Sequence, residues 1–200
     1  MDITALKQQI EQQRGRFNQL KKELGEYTDE LMTLSSLLKL IDEARVLIQL
    51  VAQQTQQQLE YVISDIVTLA LSIVFDDPYS FKVEFVLRRG KVECDLWFER
   101  GGQLVHPLDA SGGGTVDIAA LALRLSLWAL LKNTPVIIID EPFKHLSKNL
   151  HPRASTMLKE LSSKLGLQII MVSHSDDLIT DADRVFEVTM KDRVSKVAIL

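Results

Sequence analysis

Three short stretches hold the residues whose types and spacing could do chemistry. Ser111-Gly112-Gly113-Gly114 opens into the apolar, helix-like run TVDIAALALRL; Asp140-Glu141-Pro142 follows VIII; and Ser173-His174-Ser175 follows QIIMV. A glycine loop at a helix N-terminus suits phosphate, because small residues let the backbone N–H groups converge and the helix dipole adds partial positive charge. A loop that holds a nucleotide by itself has the pattern GxxxxGK[ST], in which the lysine reaches the terminal phosphates. None of the nine glycines starts such a pattern. Asp140 ends a short apolar run, the position from which a carboxylate holds a nucleotide's magnesium, since a hard cation takes oxygen ligands. Glu141, the next residue on the pleat, could orient or deprotonate an attacking water. His174, at the end of the neighbouring run, could hydrogen-bond that water or a γ-phosphate. Taken singly, an IIIDE is a strand end with a cap and an SH a surface histidine.

Other uses of the same residues fail on geometry. Ser173 to Asp176 contains the residue types of a hydrolase triad, but four consecutive residues in extended chain cannot converge on one reacting atom. His145 and His151 lack a second pair of ligands at zinc-like spacing. Trp97, Trp128 and the aromatics near residues 81–98 read as packing residues.

The elements that must position these residues follow from periodicity. Apolar residues recur every seven positions in two series: Ile3, Ile10, Phe17, Leu24, Leu31 and Leu38, and Leu6, Leu20, Tyr27, Leu34, Ile41 and Ile48. Only Gln13 and Arg45 interrupt this seam, which predicts a coiled coil rather than a lone amphipathic helix laid on the chain's own body. Gly15 and Gly25 each cost about 1 kcal/mol of helix stability relative to alanine and mark places to bend. The stretch Gln53 to Gln58 reads as solvated helix or a soft joint.

Leu59 to Phe75 reads as a buried helix. It carries Glu60 and Asp65 and is shorter than the roughly 20 apolar residues a membrane span needs. Asp76-Asp77-Pro78 stops it. Phe81, Val83, Phe85 and Leu87, then Val92, Cys94, Leu96 and Phe98, alternate around Arg89-Gly90 and predict a β-hairpin ended by Gly101-Gly102. Beyond the glycine loop, helices at 116–131, 153–165 (closed by Gly166) and 177–182 alternate with strands at 136–139, 168–172, 184–189 and 195–200. Helices alternating with buried apolar strands predict a sheet covered by helices, with its ligand beyond the C-terminal ends of the strands.

Composition agrees. Of 200 residues 46% are apolar, which is globular, and a net charge of −4 from 23 basic and 27 acidic side chains gives no chain-wide field for nucleic acid. The single cysteine, Cys94, fits a reducing compartment, and the polar, glutamine-rich start at Met1 lacks a signal-peptide pattern, so the expected location is the cytoplasm.

Order and spacing join the three stretches. SGGG opening a helix, VIIIDEP about one helix later, then helix, strand and VSH resemble the C-terminal half of an ABC-type ATPase head. The chain is most similar to the SMC-like branch, the double-strand-break repair ATPases that partner a nuclease and the small phage and bacterial proteins like them. The resemblance covers nearly the whole chain. It implies an α/β fold, the C-terminal lobe of a P-loop ABC-type head over 59–200, with a coiled-coil arm over 1–58. By the same resemblance Ser111, Gly112, Gly113 and Gly114 form the signature motif that meets the γ-phosphate of ATP held by the opposite subunit. Asp140 corresponds to the Walker B magnesium carboxylate, Glu141 to the catalytic base, His174 to the switch histidine, and Arg124 to the signature-helix arginine that couples nucleotide binding to head movement.

Three positions depart from the family pattern. Ala110 and Gly114 replace leucine and glutamine, which matters little to a backbone contact. Ser147, in HLSKNLH, stands where the D-loop usually has aspartate, which puts coupling through that loop in doubt. The larger departure is that Walker A and the Q-loop glutamine, which the N-terminal half of such a head supplies, have no counterpart here.

The expectation is therefore a half-site. ATP and Mg2+ would be shared with a Walker A-bearing half, heads would dimerise, and a nuclease subunit and DNA would join through the assembled complex, which would be nucleoid-associated. No membrane is involved. The chain alone would hydrolyse ATP negligibly. The competing reading is a non-catalytic regulatory module that docks on another SMC-like head through its arm and signature face.

Overall fold

The computed structural model describes residues 3–110, 112–131, 134–191 and 193–200. Its contacts divide the chain into two compact units, 1–55 and 56–200. One helix, α1 (Ile3–Val74), contributes to both and continues through Gly15, Gly25 and the glutamine stretch, so neither glycine breaks it. Over the first unit both seam series are exposed, from Ile3 to Ile48. Such a stripe gains stability only when another helix covers it.

In the second unit α1 changes character. Ile63, Ile66, Val67, Ala70, Leu71 and Val74 recur at helical spacing and are buried, forming one wall of the core. The helix ends just before Asp76-Asp77-Pro78, as the sequence predicts. Strands β1 (Ser80–Arg88) and β2 (Lys91–Arg100) form the antiparallel hairpin, which turns at Arg89 and Gly90 with φ of 51° and 76°. A third strand absent from the sequence reading, β3 (Gln103–Val105), pairs with the last residues of β2.

β1 is an edge strand whose outward N–H groups are met by the helix beside it. Phe81 N–H donates to Thr68 Oγ1 at 2.9 Å, Val83 N–H to Ser64 Oγ at 3.2 Å, and Phe85 N–H to Glu60 Oε1 at 2.9 Å. Alternate strand residues advance about 6.6 Å and every fourth helix residue about 6.0 Å, so three successive side chains of α1 stay in step with three amides. Those bonds fix the rotation of α1 against the hairpin, and Phe81, Val83 and Phe98 pack beneath.

A short turn of helix, α2 (Pro107–Ala110), leads to α3 (Gly113–Leu130). By length and hydropathy α3 would pass for a membrane-spanning segment, but Ile118, Leu121, Ala122 and Leu125 are buried in this core. β4 (Val136–Asp140), α4 (His151–Leu165) and β5 (Gln168–Val172) form a parallel strand pair with a helical crossover. Gly166 closes α4 in the left-handed conformation at φ 64°, as expected of a C-terminal glycine. The expected helix at 177–182 is only a 3-10 turn, Asp176–Leu178, and the chain ends in a hairpin of β6 (Phe186–Lys191) and β7 (Val194–Ile199).

The predicted sheet covered by helices is thus three separate small sheets among the described residues. Ile137, Ile139, Ile169 and Met171 face the core, whereas Ile138 and Val172 on the opposite face are 73% and 51% exposed. Parallel strands are normally covered on both faces. The β6–β7 hairpin repeats the pattern, because paired residues share a face and Phe186, Val188, Met190, Val197 and Ile199 form an exposed apolar one.

Candidate functional site

The β4–β5 register pairs Asp140 with Val172, so the two strands end level and the loops after them emerge side by side. Glu141 is the first residue beyond β4. Its N–H donates to Val172 O at 3.0 Å, and its backbone sits at φ 44°, in the left-handed region. For a side chain larger than glycine this costs on the order of 1 kcal/mol and persists only where the surroundings enforce it. Here Pro142 follows, which disfavours the right-handed helical region at residue 141, while the bond to β5 holds the amide.

The turn directs the Glu141 carboxylate across the strand ends. Oε1 accepts the His174 N–H at 2.8 Å and lies 3.8 Å from His174 Nε2. The His174 ring is 95% exposed and projects from the surface, while the Glu141 side chain is only 31% exposed. Asp140 is exposed, and its carboxylate has no hydrogen-bond partner among the described residues. The structure therefore gathers Asp140, Glu141 and His174 at one edge. A shielded acceptor fixed by a backbone amide beside a free carboxylate can orient a water next to a cation.

The chain from Pro142 to Ser147 then folds back onto the start of α3. Phe143 and Leu146 enter the core, and the exposed His145 is fastened to Asp117 of α3. The His145 N–H donates to Asp117 Oδ2 at 2.9 Å, and Nδ1 lies 3.2 Å from both carboxylate oxygens. The glycines make this approach possible. A Cβ on Gly113 would fall 2.8 Å from His145 Cβ, and one on Gly114 would fall 3.0 Å from Leu146 Cδ1 and 3.2 Å from the His145 carbonyl oxygen. Gly112, the N-cap residue of α3 at φ −62° and ψ 153°, has open space where a Cβ would go. The three glycines therefore differ: two seat the turn and one faces outward. Ser111 lies outside the described residues.

His151 ties the two strand-end loops together from below. It is buried, with Nε2 at 3.3 Å from Leu146 O and Nδ1 at 2.8 Å from Ser175 Oγ. A carbonyl can only accept, so Nε2 carries the proton, and in the neutral ring Nδ1 accepts from the Ser175 hydroxyl. Ser147 begins the 3-10 turn Lys148–Leu150; its hydroxyl makes no capping bond, while its carbonyl accepts the Leu150 N–H at 2.9 Å. Arg124 lies three turns into α3, exposed and without an ion pair among the described residues, so the structure does not join it to the others.

Sequence reasoning missed Asp117, His145 and His151 as positioning residues. Asp117 left a trace as the one acid in the apolar run GTVDIAAL. The two histidines left none, because their partners are 28 and 24 residues away. Among the described residues no group of three or more His, Cys, Asp or Glu side chains could hold a metal ion. Asp140 alone suits magnesium, which keeps phosphate oxygens and waters as its remaining ligands.

No family model matches the chain. It is similar to the DNA double-strand break repair Rad50 ATPase of Sulfolobus acidocaldarius, 33% identical over 62% of this chain and 14% of that protein. The protein of the same description from Methanosarcina mazei is 29% identical over 84% of this chain and 18% of the relative. The chain thus spans less than a fifth of each relative's length. Among solved structures it superposes on the Smc head domain with an extended coiled coil from Pyrococcus furiosus, crystallised with the C-terminal domain of ScpA. There the TM-score is 0.59 at 22% identity, covering 83% of this chain and 40% of that one.

Proposed function

This chain belongs to the SMC-like branch of the ABC-type ATPases over the stretch it shares with them, and from that premise we propose that it is the C-terminal half of such an ATPase head. It completes an ATP site whose phosphate-wrapping loop comes from a Walker A-bearing partner. The observation that carries the reading is the bare apolar face of the β4–β5 pair, whose strand ends bear Asp140, Glu141 and His174. A second lobe packed on this face would cover Ile138 and Val172 and bring a triphosphate to the carboxylates.

In the assembled site Asp140 is the carboxylate available to Mg2+, which would offset charge on the phosphates. Glu141, steadied by the His174 amide, accepts a proton from the water that attacks the γ-phosphorus in line as the β,γ-phosphoanhydride breaks. His174 is placed to hydrogen-bond that water or the γ-phosphate. The Gly112 end of α3 presents N–H groups and the positive end of the helix dipole to the γ-phosphate of ATP held by a second head. The relatives' descriptions as DNA double-strand break repair ATPases support a role in that repair; end processing, with a nuclease and DNA as partners of the complex, is what the family resemblance implies.

The test is reconstitution. The Walker A-bearing chain that co-purifies from the native host is combined with this one, and ATP turnover is measured for each chain and for the mixture. Turnover confined to the mixture is expected. Vigorous turnover by this chain alone would refute the half-site, and a mixture that associates yet stays silent would favour a regulatory module.

A further inference from the structure

We propose that the outer edge of β2 is a docking site for an extended peptide segment of a partner protein, which adds as a strand alongside Val92, Cys94 and Leu96. The inference does not depend on the ATP site.

The hairpin register shows which way the backbone groups point. Phe81, Val83 and Phe85 direct their N–H groups to α1, so Lys82, Glu84 and Val86 face β2, and their partners Trp97, Asp95 and Glu93 face back. In an antiparallel ladder the alternate residues face the other way. The N–H and C=O groups of Val92, Cys94, Leu96 and Phe98 therefore all point to the edge away from β1. β3 meets that edge only from Phe98 to Arg100 before the chain turns off at His106-Pro107. Over Val92 to Leu96 no strand among the described residues pairs with it, and α2, which packs against β2, lines the cavity beside it with Pro107 and Leu108. Such a row repeats every two residues, a spacing matched by extended backbone.

Beside the edge runs a cavity of about 520 Å³. Its far wall is one face of α3, with Val116, Ala119, Ala120 and Leu123 at i, i+3, i+4 and i+7, and Leu108 lies at its end. Apolar side chains at alternate positions of an added strand would lie against that wall. Trp97 also lines the cavity, and its Nε1–H is buried without an acceptor among the described residues. A buried donor left unpaired costs stability, and an incoming carbonyl removes that cost. The edge has no proline or bulge to blunt it, the usual protection of strands that must stay unpaired. The added strand would prolong the row that β3 begins, over about 13 Å or four residues.

The experiment pans a displayed library of random nonapeptides on the immobilised full chain, in parallel with its Ala120→Arg variant. Ala120 is exposed on α3, so arginine there fills the trough without entering the core; an unchanged melting temperature verifies this. Enrichment on the native chain over the variant is expected, with apolar residues at every second position. N-methylating the enriched peptide at alternate amides should weaken binding at least about ten-fold for one parity and little for the other. Binding should also shift the Trp97 indole N–H resonance. The proposal is overturned if no peptide is enriched over the variant. It is also overturned if N-methylation at neither parity weakens binding, which would mark an apolar pocket for a compact ligand.

Discussion

Alanine placed in turn at Gly112, Gly113 and Gly114 should separate folding from function within three adjacent residues. At Gly113 the new Cβ would sit 2.8 Å from His145 Cβ and 3.2 Å from Cγ, well inside carbon contact distance. His145 cannot retreat freely, because its N–H and ring are fastened to Asp117. Overpacking of this kind costs about 1–3 kcal/mol. Replacing glycine by alanine returns about 0.4–1 kcal/mol through the unfolded chain. The net is a loss of about 1–2 kcal/mol, or about 2–8 °C in Tm for a chain of this size. Gly114→Ala should cost at least as much, since the nearby atoms include the His145 carbonyl oxygen and Leu146 Cα at 3.2 Å. Gly112→Ala meets nothing within 4 Å and should stay within about 0.5 kcal/mol of the parent. Melting followed by tryptophan fluorescence reports the second unit, where Trp97 and Trp128 reside, rather than the exposed arm. In the assembled complex the same Gly112 variant should weaken ATP-dependent head association. Equal melting temperatures for all three variants would refute the division of labour.

Glu141→Gln keeps an oxygen for the His174 N–H, so stability should be unchanged; hydrolysis in the mixed complex should fall by about 100-fold or more with ATP retained, and unaltered turnover would remove Glu141 as the base. Thr68→Val preserves shape but orphans the N–H of the buried Phe81, and should lower stability by about 1–3 kcal/mol in urea titration. The same change at the exposed Thr28, which donates only within its own helix, is the control, and equal losses at both sites would contradict the edge-capping account. Partial desolvation pushes the thiol of the exposed Cys94 up, and the charges of Asp95 and Glu60 add to it. Its alkylation by iodoacetamide should therefore rise with pH at a midpoint above that of the urea-unfolded chain, about 8.5. The folded chain holds this proton to higher pH, so the thiol's contribution to stability is complete below the unfolded value and lost as pH rises through the folded one. Coincident midpoints would sink the assignment.

The sequence by itself determined whatever depends on local order. Heptad spacing specified the arm, alternation about Arg89-Gly90 the hairpin, and Gly166 the end of α4, because period and turn chemistry are properties of neighbouring residues. The stretch from SGGG to VSH pointed to the fold and to the residues the structure gathers at Asp140, Glu141 and His174, since a parallel pair with a crossover must place both strand ends on one side. β3 was not legible, because three residues carry too little pattern to register as a strand. Tertiary structure alone decided how the glycine loop is used. Gly113 and Gly114 seat the turn held by His145 and Asp117, while Gly112 faces outward, and this depends on contacts 28 residues apart that no local pattern encodes. It also decided that Glu141 takes a left-handed backbone, that His151 joins the two loops, and that one face of the β4–β5 pair stays bare. The apolar runs VIII and QIIMV read as buried on both sides in sequence; only packing distinguishes the side covered by this chain's helices from the side left exposed.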